Sequence, residues 1–181
     1  MNIKFKRFTK EYLELVRGWR NNPEISQYMY TDDYISEEEH ANWFKKIDND
    51  PSNKYWIVFY NDIHVGLICL FNIDLRNKRC YWGYYLADPS VRGKGIGRLI
   101  ELNVLTYVFD ELHLNKLCCE VLKTNDYVVK LHQKYGSKIE GIFRKHILKQ
   151  KTFHDVVAMG ILKEEWDMIK NSFNYIKVKF E

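Results

Sequence analysis

Three groups of residues in this chain have the types and the spacing for chemistry. The first is Arg92-Gly93-Lys94-Gly95-Ile96-Gly97, where a strand-like pattern gives way to a helix-like one. Free backbone N–H groups at a helix start, together with the positive end of its dipole, favour an anion, and glycine lets a phosphate come close because no Cβ intervenes. Arg92, Lys94 and Arg98 add charge suited to a diphosphate. The competing reading is an ordinary glycine-rich turn. Its setting, with aromatic strands and Asp88-Pro89 before it and the stripe Leu99, Leu102, Leu105, Val108 after it, favours the anion site. The segment is neither a dinucleotide fingerprint nor a P-loop, since G-x-G-x-x-G is absent and no G-K-[ST] follows.

The second group is a single carboxylate. Glu120 stands between Leu117-Cys118-Cys119 and Val121-Leu122, an otherwise apolar strand pattern, and a buried acid needs a partner or a task. One reading is an ion pair with a Lys or Arg. The other is a general base, which strips the proton from an amine that is cationic and unreactive at neutral pH. The third group is Asn125, placed to cap a helix over 126–135, with Val128, His132 and Tyr135 on one helical face. His132 therefore points inward, as a packing residue or as an acid for a leaving group.

The elements that would position these groups follow from periodicity. A strand over 3–8 precedes a helix over 11–19 with Tyr12, Leu15, Val16 and Trp19 on one side, and Pro23 stops its continuation. Ser36-Glu37-Glu38-Glu39 is a capping box that opens a helix facing inward through Trp43, Phe44 and Ile47. Strands over 55–60, 64–72 and 80–86 read as an antiparallel meander. A helix over 93–110 and a strand over 116–121 complete a crossover, and the helix over 126–135 ends at Gly136. Strands over 138–144 and 152–162 and a short helix after Glu164 close the chain. The expectation is an α/β fold with a central mixed, mostly antiparallel sheet flanked by helices. At 181 residues without repeats or linkers, it reads as one domain over 1–181.

The glycine segment resembles the pyrophosphate motif R/Q-x-x-G-x-G/A of the GNAT acetyltransferases. Asn125-x-x-Val128-x-x-Leu131-His132-x-Lys134-x-Gly136 resembles that family's N-x-x-A-x-x-L-Y-x-K-x-G. The resemblance implies the GNAT fold, with strands splayed at an acetyl-CoA site, and an acetyl-CoA-dependent N-acetyltransferase. It places Leu86, Ala87 and Asp88 on the pantetheine arm, and Arg92, Gly93, Lys94, Gly95, Ile96, Gly97, Arg98 and Asn125 on the coenzyme. Glu120 falls on the base position. His132 falls on the acid position, where the family usually has Tyr, and an imidazolium can protonate a thiolate whose thiol has a pKa of ~8.5.

Aromatic side chains beside Arg20 suit a nucleotide-linked acceptor, base on ring and diphosphate on guanidinium. From about Trp19 to Trp166 the chain is similar to one GNAT branch, the UDP-4-amino-4,6-dideoxy-N-acetyl-β-L-altrosamine N-acetyltransferases of pseudaminic acid biosynthesis. The similarity rests on Trp19-Arg20-Asn21-x-Pro23-x-Ile25, Met29-Tyr30-Thr31, Glu38-Glu39-His40-x-x-Trp43-Phe44, the Arg92 motif, Glu120, Asn125, Gly141-x-x-Arg144-Lys145-His146 and His154-Asp155-Val156. That resemblance puts Arg20, Met29, Tyr30, His40, Trp43 and Tyr81 on the side of a UDP-amino sugar. A protein N-terminus, of a ribosomal protein for instance, is an alternative acceptor. A polyamine is another, for which Asp32, Asp33, Glu37, Glu38 and Glu39 supply acids. An acyl-CoA-binding regulatory module is the non-enzyme alternative.

Composition narrows the classes further. Apolar residues make up 46%, and 13 Tyr and 5 Trp exceed what a core alone requires. Net charge is +4 with both signs interspersed, so no nucleic-acid arm or membrane-surface helix is expected. The N-terminal Met1-Asn2-Ile3-Lys4-Phe5-Lys6 lacks an apolar signal core, and no stretch reaches the ~18 apolar residues of a membrane span, so a cytoplasmic protein is expected. Cys69, Cys80, Cys118 and Cys119 lack C-x-x-C spacing and read as buried thiols, and no metal is implied. A homodimer is left open.

Overall fold

A computed structural model describes residues 2–181, so Met1 of the N-terminal stretch lies outside it. Its strands are β1 (Ile3–Arg7), β2 (Lys54–Tyr60), β3 (Ile63–Asp74), β4 (Arg79–Leu86), β5 (Lys116–Leu122), β6 (Lys138–Lys149) and β7 (Thr152–Leu162). They form a seven-stranded sheet in the order β1-β2-β3-β4-β5-β7-β6. Only β4 and β5 run parallel, which makes the sheet mixed and mostly antiparallel, as expected. The β2–β3 hairpin turns through Asn61 and Asp62 at φ 50° and 63°, a two-residue loop that these residue types tolerate.

The parallel contact is short. Arg79 pairs with Lys116, Cys80 with Leu117 and Tyr81 with Cys118, and there the pairing stops. Residues 82–86 continue beside β3, and residues 119–122 continue beside β7. The sheet therefore forks, and Glu120 stands on one arm of the fork.

The helices are α1 (Leu13–Asn21), α2 (Pro23–Ser26), α3 (Glu37–Asp48), α4 (Ile96–Thr106), α5 (Asp126–Lys134) and α6 (Lys163–Ile169). Alternation along β2 explains how two helix layers find the sheet. Trp56 and Val58 join the larger core with residues of α4, α5 and α6, while Ile57 and Phe59 join a smaller one with Phe8, Val16, Trp43 and Phe44. Burying such a side chain contributes about 1.5–3 kcal/mol. The capping box at Ser36 forms in full. All four cysteines are free, and Cys80, Cys118 and Cys119 are buried.

The elements differ from expectation in four places. α4 starts at Ile96 rather than 93, because Gly93 and Gly95 take φ of 75° and 76° and cannot belong to a right-handed helix. It ends in a π-helical turn, Tyr107–Glu111, closed by Leu112 N–H to the Tyr107 carbonyl at 2.9 Å. β6 runs past 144 to Lys149, absorbing a register shift between Phe143 and Ile147. Pro23 does more than stop α1: it opens α2, whose cap is the Asn22 side chain accepting Glu24 N–H at 2.9 Å.

Candidate active site

A cleft of about 1330 Å³ opens at the fork. Arg20, Met29, Tyr30, His40 and Trp43 line it from one side, and Leu86, Arg92, Glu120, Asn125 and His132 from the other. Residues expected to bind acceptor and to move protons thus share one cavity with Leu86, Arg92 and Asn125 of the set expected to meet the coenzyme. Ala87, Asp88 and residues 93–98 do not line it, and neither does Tyr81. It stacks on Phe71 at 5.7 Å and lines a separate cavity of about 780 Å³ with Arg79, and Glu120 borders both cavities. Position along the strand accounts for this, since Tyr81 is the last β4 residue paired with β5, before the fork opens.

At the α4 end, Gly95 is the N-cap, and the first helical bond to it comes from Leu99 N–H at 3.1 Å. The N–H groups of Ile96, Gly97 and Arg98 precede that bond and are the orphan donors of a helix start. A Cβ built on Gly93 or Gly95 would meet no protein atom within 4 Å, so the space in front of these amides is open. Gly97 is small for another reason: its Cβ would lie 2.9 Å from the Tyr84 hydroxyl. The turn therefore fits a diphosphate through its backbone.

The flanking side chains are engaged elsewhere. Arg92 pairs with Glu24 at 2.7 Å, Arg98 donates to the Asn174 carbonyl at 2.8 Å, and Lys94 lies over the Tyr60 ring at 5.3 Å. The expectation that these cations surround a phosphate gains no geometry from the structure. Likewise, the amides of Ala87 and Asp88 both donate to the Val65 carbonyl, at 2.8 and 3.4 Å. The Asp88 carboxylate accepts Ser90 N–H at 2.8 Å, a bond that holds it below the usual carboxylate range. Asn125 sits at the N-cap of α5, but its side chain makes no capping bond there, and it lines the cleft.

Glu120 is half-buried, and its partner is a phenol rather than a Lys or Arg. The Tyr30 hydroxyl donates to Glu120 Oε2 at 2.6 Å across 90 residues of sequence. Burial, then that bond, pushes the Tyr30 hydroxyl above its ordinary range. Tyr30 is held there by a residue sequence reasoning missed. Lys149, buried at the end of β6, donates from Nζ to the carbonyls of Ser26, Gln27 and Met29 at 2.8, 3.0 and 2.6 Å. A lysine in a basic stretch carries no sequence signal for such a task.

The Arg20 side of the cleft contains polar atoms without partners among the described residues. Arg20 donates from Nη2 to Thr31 Oγ1 at 3.2 Å, while its Nε, His40 Nδ1 and the Tyr85 hydroxyl are buried and unbonded among the described residues. Each such group costs about 1–3 kcal/mol if nothing binds it. His40 stacks on Trp43 at 4.9 Å, and Trp43 meets the Tyr55 ring edge-on at 5.4 Å. Burial, then Arg17 and Arg20, holds the His40 imidazole below its ordinary value. Tyr55 and Tyr85 were missed because aromatics in a strand meander read as core.

His132 is 4% exposed, and its Nδ1 lies 2.8 and 3.0 Å from the two carboxylate oxygens of Glu101, itself 1% exposed. Burial opposes a charge on the ring, but the neighbouring Cys119 sulfur and Glu101 carboxylate outweigh it, and the imidazole is pushed up to about 10. The ring also borders Trp82 at 5.2 Å.

Residues 2–138 match the family described as an acetyltransferase (GNAT) domain. An acetyltransferase PseH of Campylobacter jejuni subsp. jejuni serotype O:23/36 (strain 81-176) is 39% identical over 134 residues, covering 72% of this chain and 82% of the relative. Spermidine N(1)-acetyltransferase of Escherichia coli (strain K12) is 22% identical over 165 residues, 91% of this chain and 88% of the relative. Spermidine N-acetyltransferase from Vibrio cholerae, solved in complex with CoA and spermine, superposes with a TM-score of 0.84 at 23% identity, covering 91% of this chain and 97% of that one, a likeness of fold. A forked sheet, a glycine turn opening onto a helix start and a family match over most of the chain lead to one conclusion: the protein belongs to the GNAT acetyltransferases and is an acetyl-CoA-dependent N-acetyltransferase.

Proposed function

We propose that the acceptor is the 4-amino group of a UDP-linked 4-amino-4,6-dideoxy sugar, acetylated by direct attack of the amine on the thioester. The observation that carries this reading is Arg20. Its guanidinium stands in the cleft without a carboxylate partner among the described residues, beside the unbonded His40 and Tyr85 and the rings of Trp43 and Tyr55. Arginine matches a diphosphate through paired N–H donors, and the rings offer a base a stacking surface. The similarity of the N-terminal segments to the pseudaminic acid branch points the same way. A polyamine would instead draw on free acids; of the four carboxylates that line this cleft, Glu24 pairs with Arg92, Glu39 and Glu120 accept hydrogen bonds from Ser36 and Tyr30, and Asp33 alone has no partner among the described residues.

Acetyl-CoA supplies the acetyl group as an activated thioester. The amides at the start of α4 hold its diphosphate, and the fork between residues 82–86 and 119–122 receives its arm. Glu120 takes a proton from the acceptor ammonium, directly or through water, and the freed amine attacks. As the intermediate collapses the nitrogen loses its second proton to solvent, and His132 gives a proton to the departing thiolate and is recharged from solvent, so that amide, thiol and one released proton balance the reaction. The decisive experiment measures kcat/KM with UDP-4-amino-4,6-dideoxy sugars, spermidine and N-terminal peptides at fixed acetyl-CoA. The nucleotide sugar is expected to lead by a wide margin. A higher value for spermidine or a peptide overturns the acceptor assignment.

A further inference from the structure

We propose that Glu101 is a positioning residue for the acid: its carboxylate holds the His132 ring as an imidazolium, with Nδ1–H engaged and Nε2–H left for the departing thiolate. This rests on the reading of His132 as that acid. Glu101 lies in the middle of α4 between Ile100 and Leu102, which are both fully buried, a place where an unpaired carboxylate is strongly disfavoured. Both of its oxygens converge on His132 Nδ1, at 2.8 and 3.0 Å, and the helix carrying it is also the one that opens on the glycine turn. One element thus presents the diphosphate amides at its start and, further along, the counter-charge of the acid.

The direction of the bond matters chemically. If the neutral ring keeps its proton on Nδ1 for Glu101, Nε2 carries none, and the ring cannot act as an acid. Only the imidazolium has a proton on both nitrogens, and a buried carboxylate at this distance favours that form. When Nε2–H passes its proton to sulfur, the S–H bond forms, the N–H bond breaks, and the ring is left neutral with Nδ1–H still on Glu101. The other titratable groups around the pair are Cys119 on β5, Tyr84 on β4, Tyr127 on α5 and Tyr135 just past its end. Burial and then Glu101 hold the Tyr84 hydroxyl above its ordinary range. Arg98, on α4 itself, points to the Asn174 carbonyl.

Glu101→Gln tests the proposal because it keeps an acceptor oxygen and removes the charge. Two quantities are read on the full-length protein. One is the titration of the His132 ring by NMR. The other is the pH dependence of kcat at saturating acetyl-CoA with the amine of the above panel that is acetylated fastest. The ring of the parent is expected to stay protonated well above pH 7. In Glu101→Gln, both its titration and the alkaline limb of kcat move down by about 1–3 pH units, and Glu101→Asp recovers much of the loss. A neutral His132 ring in the parent at pH 7 overturns the proposal whether or not the variants fold, as does an unmoved titration in Glu101→Gln. A titration that moves while the kcat limb stays put also overturns it, and traces the failure to the role of His132 rather than to the pair. An acceptor other than the nucleotide sugar leaves these readouts intact, so the two readings fail separately.

Discussion

Arg20 lines the cleft with one hydrogen bond, to Thr31, and no counter-charge among the described residues, so a ligand that brings an anion gains a charge-assisted contact there. Hydrogen bonds to charged groups contribute about 1.5–3 kcal/mol, which corresponds to a factor of about 10–100 in binding. Arg20→Gln should therefore raise the acceptor KM by about that factor and leave acetyl-CoA affinity unchanged; steady-state kinetics with each substrate varied in turn will read both. Glu120→Gln should act differently, lowering kcat by about 10² to 10⁴ while acceptor KM changes little, because a general base works in the transition state. An equal kcat in this variant would assign proton removal to another group. At this scale the sequence was informative at two places where polarity broke a strong apolar pattern. Glu120 interrupts a strand and His132 sits on an apolar helix face, and both stand in the cleft. Glu101 broke an equally apolar run, Leu99-Ile100-Glu101-Leu102, but the run read as a single stripe, and its partner lies 31 residues away. Lys149 gave no signal, since its bonds arise only when the 26–29 segment folds onto the end of β6.

The elements that build the site are the fork and the turn before α4. Periodicity marked the strands but not the loss of pairing after Tyr81 and Cys118, because divergence depends on what lies between two strands rather than on either sequence. In the same way, β6 reaches Lys149 through a bulge with Lys145 at φ 51° and turns through Gln150 and Lys151 at φ 46° and 62°, residues that carry no turn signature. The glycine turn was legible because φ near 75° at 93 and 95 admits few other residues. Gly95→Val places a β-branched side chain in that region at a strain of about 1–2 kcal/mol, or a Tm loss of a few degrees for a chain of this size. Since a Cβ at 95 meets nothing of the protein within 4 Å, any further effect falls on a ligand. Calorimetry should show coenzyme A binding weakened by at least about tenfold, the loss expected when roughly 1.4 kcal/mol of phosphate contact is removed. Gly95→Asn relieves the strain, because Asn tolerates this conformation, but still obstructs the amides, and it should recover the Tm without recovering the affinity. Affinity unchanged in both variants would move the diphosphate away from this turn.

On the scale of the whole molecule, the His132–Glu101 pair links proton uptake to folding. In the unfolded chain a histidine titrates near its ordinary value of about 6.5, and in the fold this one is pushed up to about 10, because the Cys119 sulfur and the Glu101 carboxylate more than offset the burial that opposes its charge. The folded state therefore binds more protons than the unfolded state between those values, and stability must fall as pH rises across that window. The contribution is fully present below pH ~6.5 and is lost as pH passes through about 10. Within the window the slope for one such group reaches about 1.4 kcal/mol per pH unit. Other groups titrate at the alkaline end, so the parent curve alone does not isolate the pair. The comparison that does is His132→Leu with Glu101→Leu, which replaces both partners with apolar side chains and leaves no orphaned charge. Urea unfolding of parent and double variant from pH 6 to 10 should give a stability difference that moves steadily against the parent as pH rises. A difference independent of pH would mean that the folded pair binds no more protons than the unfolded one, so that no imidazolium is held at His132.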